Sequence, residues 1–596
     1  MVALRKALAL LSLLALAVVG SSVARAMDAS LVGLVACTAT AVPPVVRAEG
    51  IAELVGDIVL TCVGTPGANE APSLYLKTNV SVSLNVNITN NIDFGEGSDV
   101  SDAVLIINEN NCKQPSALGA TYGAGDCSPP SPQFQDPQYG VLRDVNRLEW
   151  DEVDFPFPGA VVPFDAPSFP LITTVRIHSL RANASQLGVP DAATFPSTQI
   201  TAFVSLTGPT NIPVNNNVLN VAVPILGLIV TPGDPVSGLQ CIDGDEHTSI
   251  NLEEGFATAF KTIGFPTFTP GNTQTESGYY APGSNNGAGA SQGTRFILTF
   301  YNIPSGVNVE VPTEIDHADF LVDEDGDPIA NPNVTGDELR LVLINGVDSD
   351  GAGIGDDAGD GEVSLSSGFG VAVYEVRDAN PFRIESCDVE IWFDWDADTE
   401  NDLPAVGSGQ MSASFAPLST VFVADDGAPE PRFLDTSGDP ATIITIARCT
   451  TTLLFPFVTN QAGFDTGLAI SNTSKDWLGT QPQQGSCTIH YHGSRTGGGA
   501  APLDQMSTPI AAGEQLIFTL SSGNAAQNID GAFEFQGYII AQCEFQYGHG
   551  FAFITDGFGG IPALAQGYLA LVIPVTPDGR VPGVPNLHNL GESLSH

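Results

Sequence analysis

The chain of 596 residues carries 67 Asp and Glu against 20 Lys and Arg, a formal charge of −47, with 43% hydrophobic residues, 63 Gly and 43 Pro. That balance excludes a disordered chain, and it excludes nucleic acid as a partner, because phosphate backbones are held by cations. Gly and Pro spread along the whole length exclude long helices, so the expected class is all-β, with several antiparallel domains in tandem.

Arg5 and Lys6, an apolar run from Ala7 to Val19 broken by Ser12, and Ala24-Arg25-Ala26 read as a secretory leader over residues 1–26. The run is too short to span a bilayer as a helix, which takes roughly 20 residues. The leader holds three of the basic residues and no acid, so its removal takes the charge from −47 to −50. Such a charge keeps a protein soluble and draws cations. No membrane span is expected in the mature chain, since the best later run, Val218 to Val230, contains Asn220, Pro224 and Gly227. An exported or cell-surface location follows, and there nine cysteines are more naturally paired than free. Proximity within one domain pairs Cys37 with Cys62, Cys112 with Cys127 and Cys487 with Cys543; Cys241, Cys387 and Cys449 stay unassigned.

In chain order, a first β domain is expected over 27–235. Its clearest strand runs from Val80 to Thr89, where Val80, Val82, Leu84, Val86 and Ile88 alternate with polar residues. Further strands are expected at Ala103–Ile107, Ile172–Ile177 and Thr198–Leu206, and the turn cluster Thr231–Pro235 marks the boundary. An acidic β domain follows over 236–450, with strands at Arg295–Tyr301, Glu338–Ile344, Val371–Val376, Cys387–Trp395 and Thr442–Ala447. Between Asp316 and Asp402 it holds 24 acidic and three basic residues. A C-terminal sandwich is expected over 451–574, with Ile517 and Phe551 in its core and a single strand at Gly567–Ile573. A polar tail closes the chain at 575–596.

Chemistry concentrates in the acidic domain. From Cys387 to Leu403 the odd positions are apolar or neutral and the even ones acidic apart from Trp392, which describes a strand with one solvated acidic face. Neighbours on that face, about 6.6 Å apart, repel by only about 0.6 kcal/mol in water, so no metal is required. The alternative is calcium, the one cofactor expected, with Asp348, Asp350 and Asp356 in one oxygen-rich loop and Asp394, Asp396 and Asp398 in another. Neither fits the EF-hand spacing. Gly289-Ala290-Ser291-Gln292-Gly293 matches G-x-S-x-G, but a strand follows it where a nucleophile elbow needs a strand before and a helix after. His490 and His492 share a strand face, and His549 reads as the third member of a metal site only until the register is drawn: with Cys487 opposite Cys543, the histidines diverge on either side of the bridge.

Leu453-Leu454-Phe455-Pro456-Phe457-Val458-Thr459-Asn460-Gln461-Ala462-Gly463-Phe464-Asp465-Thr466-Gly467, Ile470-Ser471-Asn472-Thr473-Ser474, Phe535-Gln536-Gly537-Tyr538 and His549-Gly550-Phe551-Ala552-Phe553 together resemble a module of uncharacterised exported bacterial β-proteins. Val46-Arg47-Ala48-Glu49-Gly50 and Glu53-Leu54-Val55-Gly56-Asp57, leading to Cys62, are similar to the start of the same proteins. The resemblance implies an exported multidomain β-protein and transfers no catalytic residue. Through its pattern of an apolar strand, the Asn472-Thr473-Ser474 turn and repeated short strands, the chain is more distantly similar to immunoglobulin-like or fibronectin-like sandwich modules of bacterial surface proteins, which implies all-β, antiparallel β-sandwich domains in tandem. The expected function is structural or adhesive and not enzymatic, at the cell surface or in the extracellular matrix, with a surface or matrix component, or further copies of itself, as partner. The competing readings are a secreted polymer hydrolase using paired carboxylates and a fimbrial or surface-layer subunit.

Overall fold

The computed structural model describes residues 35–64, 75–92, 99–108, 138–158, 172–190, 198–208, 212–240, 243–264, 274–277, 290–316, 320–322, 328–330, 339–396, 403–477, 482–556 and 564–573. The leader, the Cys112–Cys127 pair, Asp398 and the polar tail lie outside them. The described chain is all-β, built of mainly antiparallel sheets with a few parallel pairings and three short 3-10 turns.

The first unit gathers eleven strands into one continuous sheet. Strand Tyr75–Leu84 turns Val80, Val82 and Leu84 inward, and Val86 and Ile88 stay buried beyond its end. Strands from both halves of the sheet, such as Ile58–Gly64 and Ile200–Thr207, feed the same core. Cys37 and Cys62 are direct cross-strand neighbours and are bonded. The edge of the sheet is strand Val45–Arg47, which runs parallel to Val218–Ile225.

The run from Val218 to Val230 is divided between units. Strand Val218–Ile225 ends the first sheet, whereas Leu228–Pro232 pairs with Gly244–Glu254 in the second unit. The change of sheet therefore comes at Leu226-Gly227, ahead of the Thr231–Pro235 turn. In the second unit a four-stranded sheet contributes Leu252, Val389 and Phe393, an eight-stranded sheet contributes Phe296, Leu298 and Phe415, and the two share one core. Strand Ser386–Trp395 alternates as its sequence dictates: Cys387, Val389, Ile391, Phe393 and Trp395 are buried, and Asp388, Glu390 and Asp394 are exposed.

The C-terminal unit is a sandwich of a six-stranded and a four-stranded sheet around Leu453, Phe455, Leu468, Phe518 and Ile539. Cys487 and Cys543 face each other on neighbouring strands and are bonded. Cys449 is also disulfide-bonded, and Cys387 is a buried free thiol. Two expectations are corrected here. The segment Gly567–Ile573 is two strands: Ala565–Leu569 belongs to the four-stranded sheet, Leu571–Ile573 to the six-stranded one, and the chain crosses between layers at Ala570. Ile517 and Phe551 are not in the core. Leu516, Phe518 and Ala552 take the inward positions, leaving Ile517 52% and Phe551 43% exposed on the outer face.

Candidate functional site

Three of the charged residues that open the chain, Arg47, Glu49 and Glu53, leave the first unit's edge and enter its joint with the second. Arg47 is buried and its guanidinium is fully engaged. Nη1 and Nη2 donate to the two oxygens of Glu276 at 2.6 and 2.8 Å, Nε donates to Glu53 Oε1 at 2.8 Å, and Nη1 reaches Thr294 Oγ1 at 2.9 Å. The planar fork also lies over the rings of Phe433 and Phe415, at 4.7 and 5.6 Å to the centroids. Lys261 Nζ approaches Glu53 at 3.8 Å. The Glu49 carboxylate accepts the backbone N–H groups of Gly227 and Leu228, where the chain passes from one unit to the next.

A second buried set lies beside it. Arg181 Nε pairs with Glu430 at 2.8 Å while its Nη atoms donate to the carbonyls of Ala52 and Glu276. Arg432 donates to the carbonyls of Val423 and Thr89, one from each unit. Burial lowers the Lys261 ammonium, although Glu53 opposes the shift; burial also opposes ionisation of Glu276, but Arg47 holds that carboxyl below the ordinary range. Each charge therefore meets an opposite charge or a backbone group inside the joint. These contacts join residues of the first unit to residues of the second.

Burial pushes Glu430 up to about 8 against the pull of Arg181, and pushes Glu254 up to about 8 although Phe260 and Glu385 donate their N–H groups to it. Unfolded glutamates titrate near 4.3. Between those values the folded state binds more protons than the unfolded one, so stability falls as pH rises through the window, by up to about 1.4 kcal/mol per unit for each carboxyl. Glu276 acts in the opposite sense. Its depressed value contributes stability at neutral pH that is lost as pH falls through the folded value. The melting midpoint is thus expected to be higher near pH 6 than near pH 8.5 and to collapse in strong acid. Glu254→Gln should flatten the alkaline slope; thermal melts of both proteins across pH check this, and an unchanged slope would refute it.

The described members of the expected calcium set fall in two places, the loop from Asp348 to Asp356 and the end of strand Ser386–Trp395. Asp348 Oδ1 accepts the N–H groups of Asp350 and Ala352, closing its own turn. The carbonyls of Gly351 and Gly353 receive Arg295 Nη1, both at 2.9 Å, and Arg377 bridges Asp357 and Glu375. Arginines thus supply the positive charge to this loop. Asp356 pairs in register with Asn345, Asp394 stands across from Asp245 and Asn308, and Asp396 follows at the strand's end. Among the described residues no three carboxylate, imidazole or thiol groups converge as a metal-ligand set. Ser291 Oγ exchanges hydrogen bonds with the backbone of Glu430. His490 pairs with Asp504, His492 stacks on Tyr538, and His549 lies in the other sheet opposite Ser471.

Apolar side chains also stand exposed on the outer face of the C-terminal four-stranded sheet, Ile517, Phe551 and Leu569 among them. Register sets Ile517, Ala469, Phe551 and Leu569 in one row across all four strands. The Phe551 ring lies over Gly567, where a Cβ would come within 2.6 Å of it. Around the edge of this sheet, Phe457, Phe464, Leu564 and Tyr568 line a groove of about 520 Å³. The alternation of Leu516 and Phe518 with Ile517 held the signal for this face, since both sides of that strand are apolar.

No protein-family description matches the chain, and no curated protein matches it. Among solved structures it is similar to a variant of BcpA, the major pilin subunit of Bacillus cereus, at 9% identity over 83% of this chain and 96% of that one, with a TM-score of 0.19. It is also similar to the full-length major pilin SpaD of Corynebacterium diphtheriae (9% identity, 89% and 88% covered, TM-score 0.17) and to the CupB6 tip adhesin of Pseudomonas aeruginosa (8%, 69% and 99%, TM-score 0.14).

Proposed function

We propose that this is an exported protein with a structural or adhesive role at the cell surface or in the extracellular matrix. Its first two units act as one fastened body and its C-terminal sandwich presents the contact surface. The observation that carries this reading is where the chemistry has been spent. The charged residues most perturbed by their surroundings close the joint between the first two units, whereas the apolar outer row of the C-terminal sheet is left facing water. Cross-strand disulfides in the first and last units suit an oxidising exterior. Glu254, which accepts the Glu385 backbone N–H, is 1% exposed, so this buried carboxyl is out of reach of a polymer and does not serve the paired-carboxylate alternative. Mature protein prepared in an oxidising compartment should adsorb to cell-wall polysaccharide or to matrix-protein coatings and release no soluble product from either. Product release in proportion to protein concentration would overturn the reading.

A further inference from the structure

The two edges of the C-terminal four-stranded sheet are finished differently. On one edge, strand Gln515–Thr519, the outward peptide groups are capped from within the chain. Ile517 N–H donates to Gln527 Oε1, Ile517 C=O accepts Asn524 Nδ2, Gln515 C=O accepts Gln527 Nε2, and Thr519 C=O accepts the Gly523 N–H. Two side-chain amides and a turn thus stand where another strand would lie. On the other edge, strand Ala565–Leu569, Ala570 N–H donates to Gly550 and Asp556 N–H to the Leu564 carbonyl. With Phe553 opposite Gly567, that parity turns the peptide groups of Ala565, Gly567 and Leu569 outward. This edge has no cap among the described residues, and Leu564 and Leu569 stand 60% and 58% exposed along it.

We infer that this open edge is a strand-addition site whose occupant is the same edge of a second copy of the chain, joined antiparallel about a two-fold axis at Gly567. The parity fits. Gly567 faces its own counterpart and Ala565 faces Leu569, each pair exchanging N–H···O bonds, as an isologous contact requires. Charge selects the occupant. Two chains of formal charge −47 repel wherever acids meet, and neither the outward residues of this edge nor the row behind it, Phe551, Ala469 and Ile517, contains one. A cationic partner would be drawn to the acidic face of strand Ser386–Trp395 instead. Because the opposite edge is capped, the contact closes at two copies and does not propagate into a fibre.

Sedimentation velocity of the mature full-length chain tests this. A dimer is expected at micromolar concentration in about 0.15 M salt, and its fraction should rise when added salt screens the repulsion between copies. Leu569→Lys places a charge on the exposed edge, and Ala565→Pro removes an outward N–H at the first position of the strand, where proline is tolerated. Each should weaken the dimer at least about tenfold, a loss of about 1.4 kcal/mol, with the melting midpoint of the monomer unchanged. Leu503→Lys, at an exposed leucine outside the edge, should leave it intact. A wild-type chain that stays monomeric at every concentration and salt overturns the inference, as does a dimer that both edge variants leave undisturbed. The result is independent of the adhesive reading, which rests on adsorption and the absence of turnover.

Discussion

Replacing Arg47 with methionine is expected to cost about 3 to 5 kcal/mol, the penalty for stripping a buried carboxylate of its counter-charge. Methionine fills much of the space between Phe415 and Phe433, so the loss reads the charge more than a cavity. It leaves Glu276 without its bidentate partner and Glu53 with Lys261 alone. Adding Glu276→Gln should restore part of the loss, because the orphaned charge disappears with it. The informative readout is spatial. Hydrogen exchange should quicken in strands of both the first and the second units, since Arg47 belongs to one and Glu276 to the other, while strands of the C-terminal sandwich keep their protection. A loss confined to the first unit would show that the joint does not couple the two.

Cys487→Ala with Cys543→Ala should have a comparable effect in the third unit. The bridge closes 56 residues of chain, for which the loop-entropy estimate is about 4 kcal/mol, and the shorter closure of 25 residues at Cys37–Cys62 predicts about 0.7 kcal/mol less. Both cysteines of each pair are buried, so alanine at these positions also removes packed sulfur atoms from the core. Denaturant unfolding of the double variant should show an early transition by limited proteolysis within 451–573, separated from the fluorescence change of the buried Trp150 and Trp395, which report the first and second units; Trp477 of the third unit is already exposed in the folded chain and contributes little change. Coincident transitions at an unshifted midpoint would contradict the expectation.

What could be read in advance depended on how local the signal was. Strand Ser386–Trp395 was legible because acid and apolar residues alternate without exception from Cys387 to Glu390 and only Trp392 departs from the pattern later. The bridges Cys37–Cys62 and Cys487–Cys543 were legible because each falls within one sheet. Ile517 and Phe551 were placed on the wrong face because apolar residues occupy both parities of their strands, and only the partner sheet decides which parity is inward. The change of layer at Ala570 left no mark, since alanine marks neither a turn nor a break. The joint was least legible of all. Arg47 and Glu276 are 229 residues apart, and no spacing rule reaches that far. The usable hint was scarcity: in a chain with so few basic residues, Arg47 flanked by Val45, Val46 and Ala48 stands in apolar surroundings where a charge needs a partner.

The joint also sets an order on how the molecule comes into being. Synthesis delivers Arg47, Glu49 and Glu53 early, but Lys261, Glu276, Glu430 and Arg432 far later, so the edge strand that carries Arg47 has no counter-charge from the second unit while the rest of the first sheet is already available. Until Glu276 has been added for Arg47, and Glu430 for Arg181, burying these arginines in the joint is unfavourable and water remains their better environment. The first unit therefore reaches its finished form only together with the second, through contacts of long sequence separation, and the two mature as one slow step. The C-terminal sandwich draws its core from residues 453–572 and is free to close on its own clock.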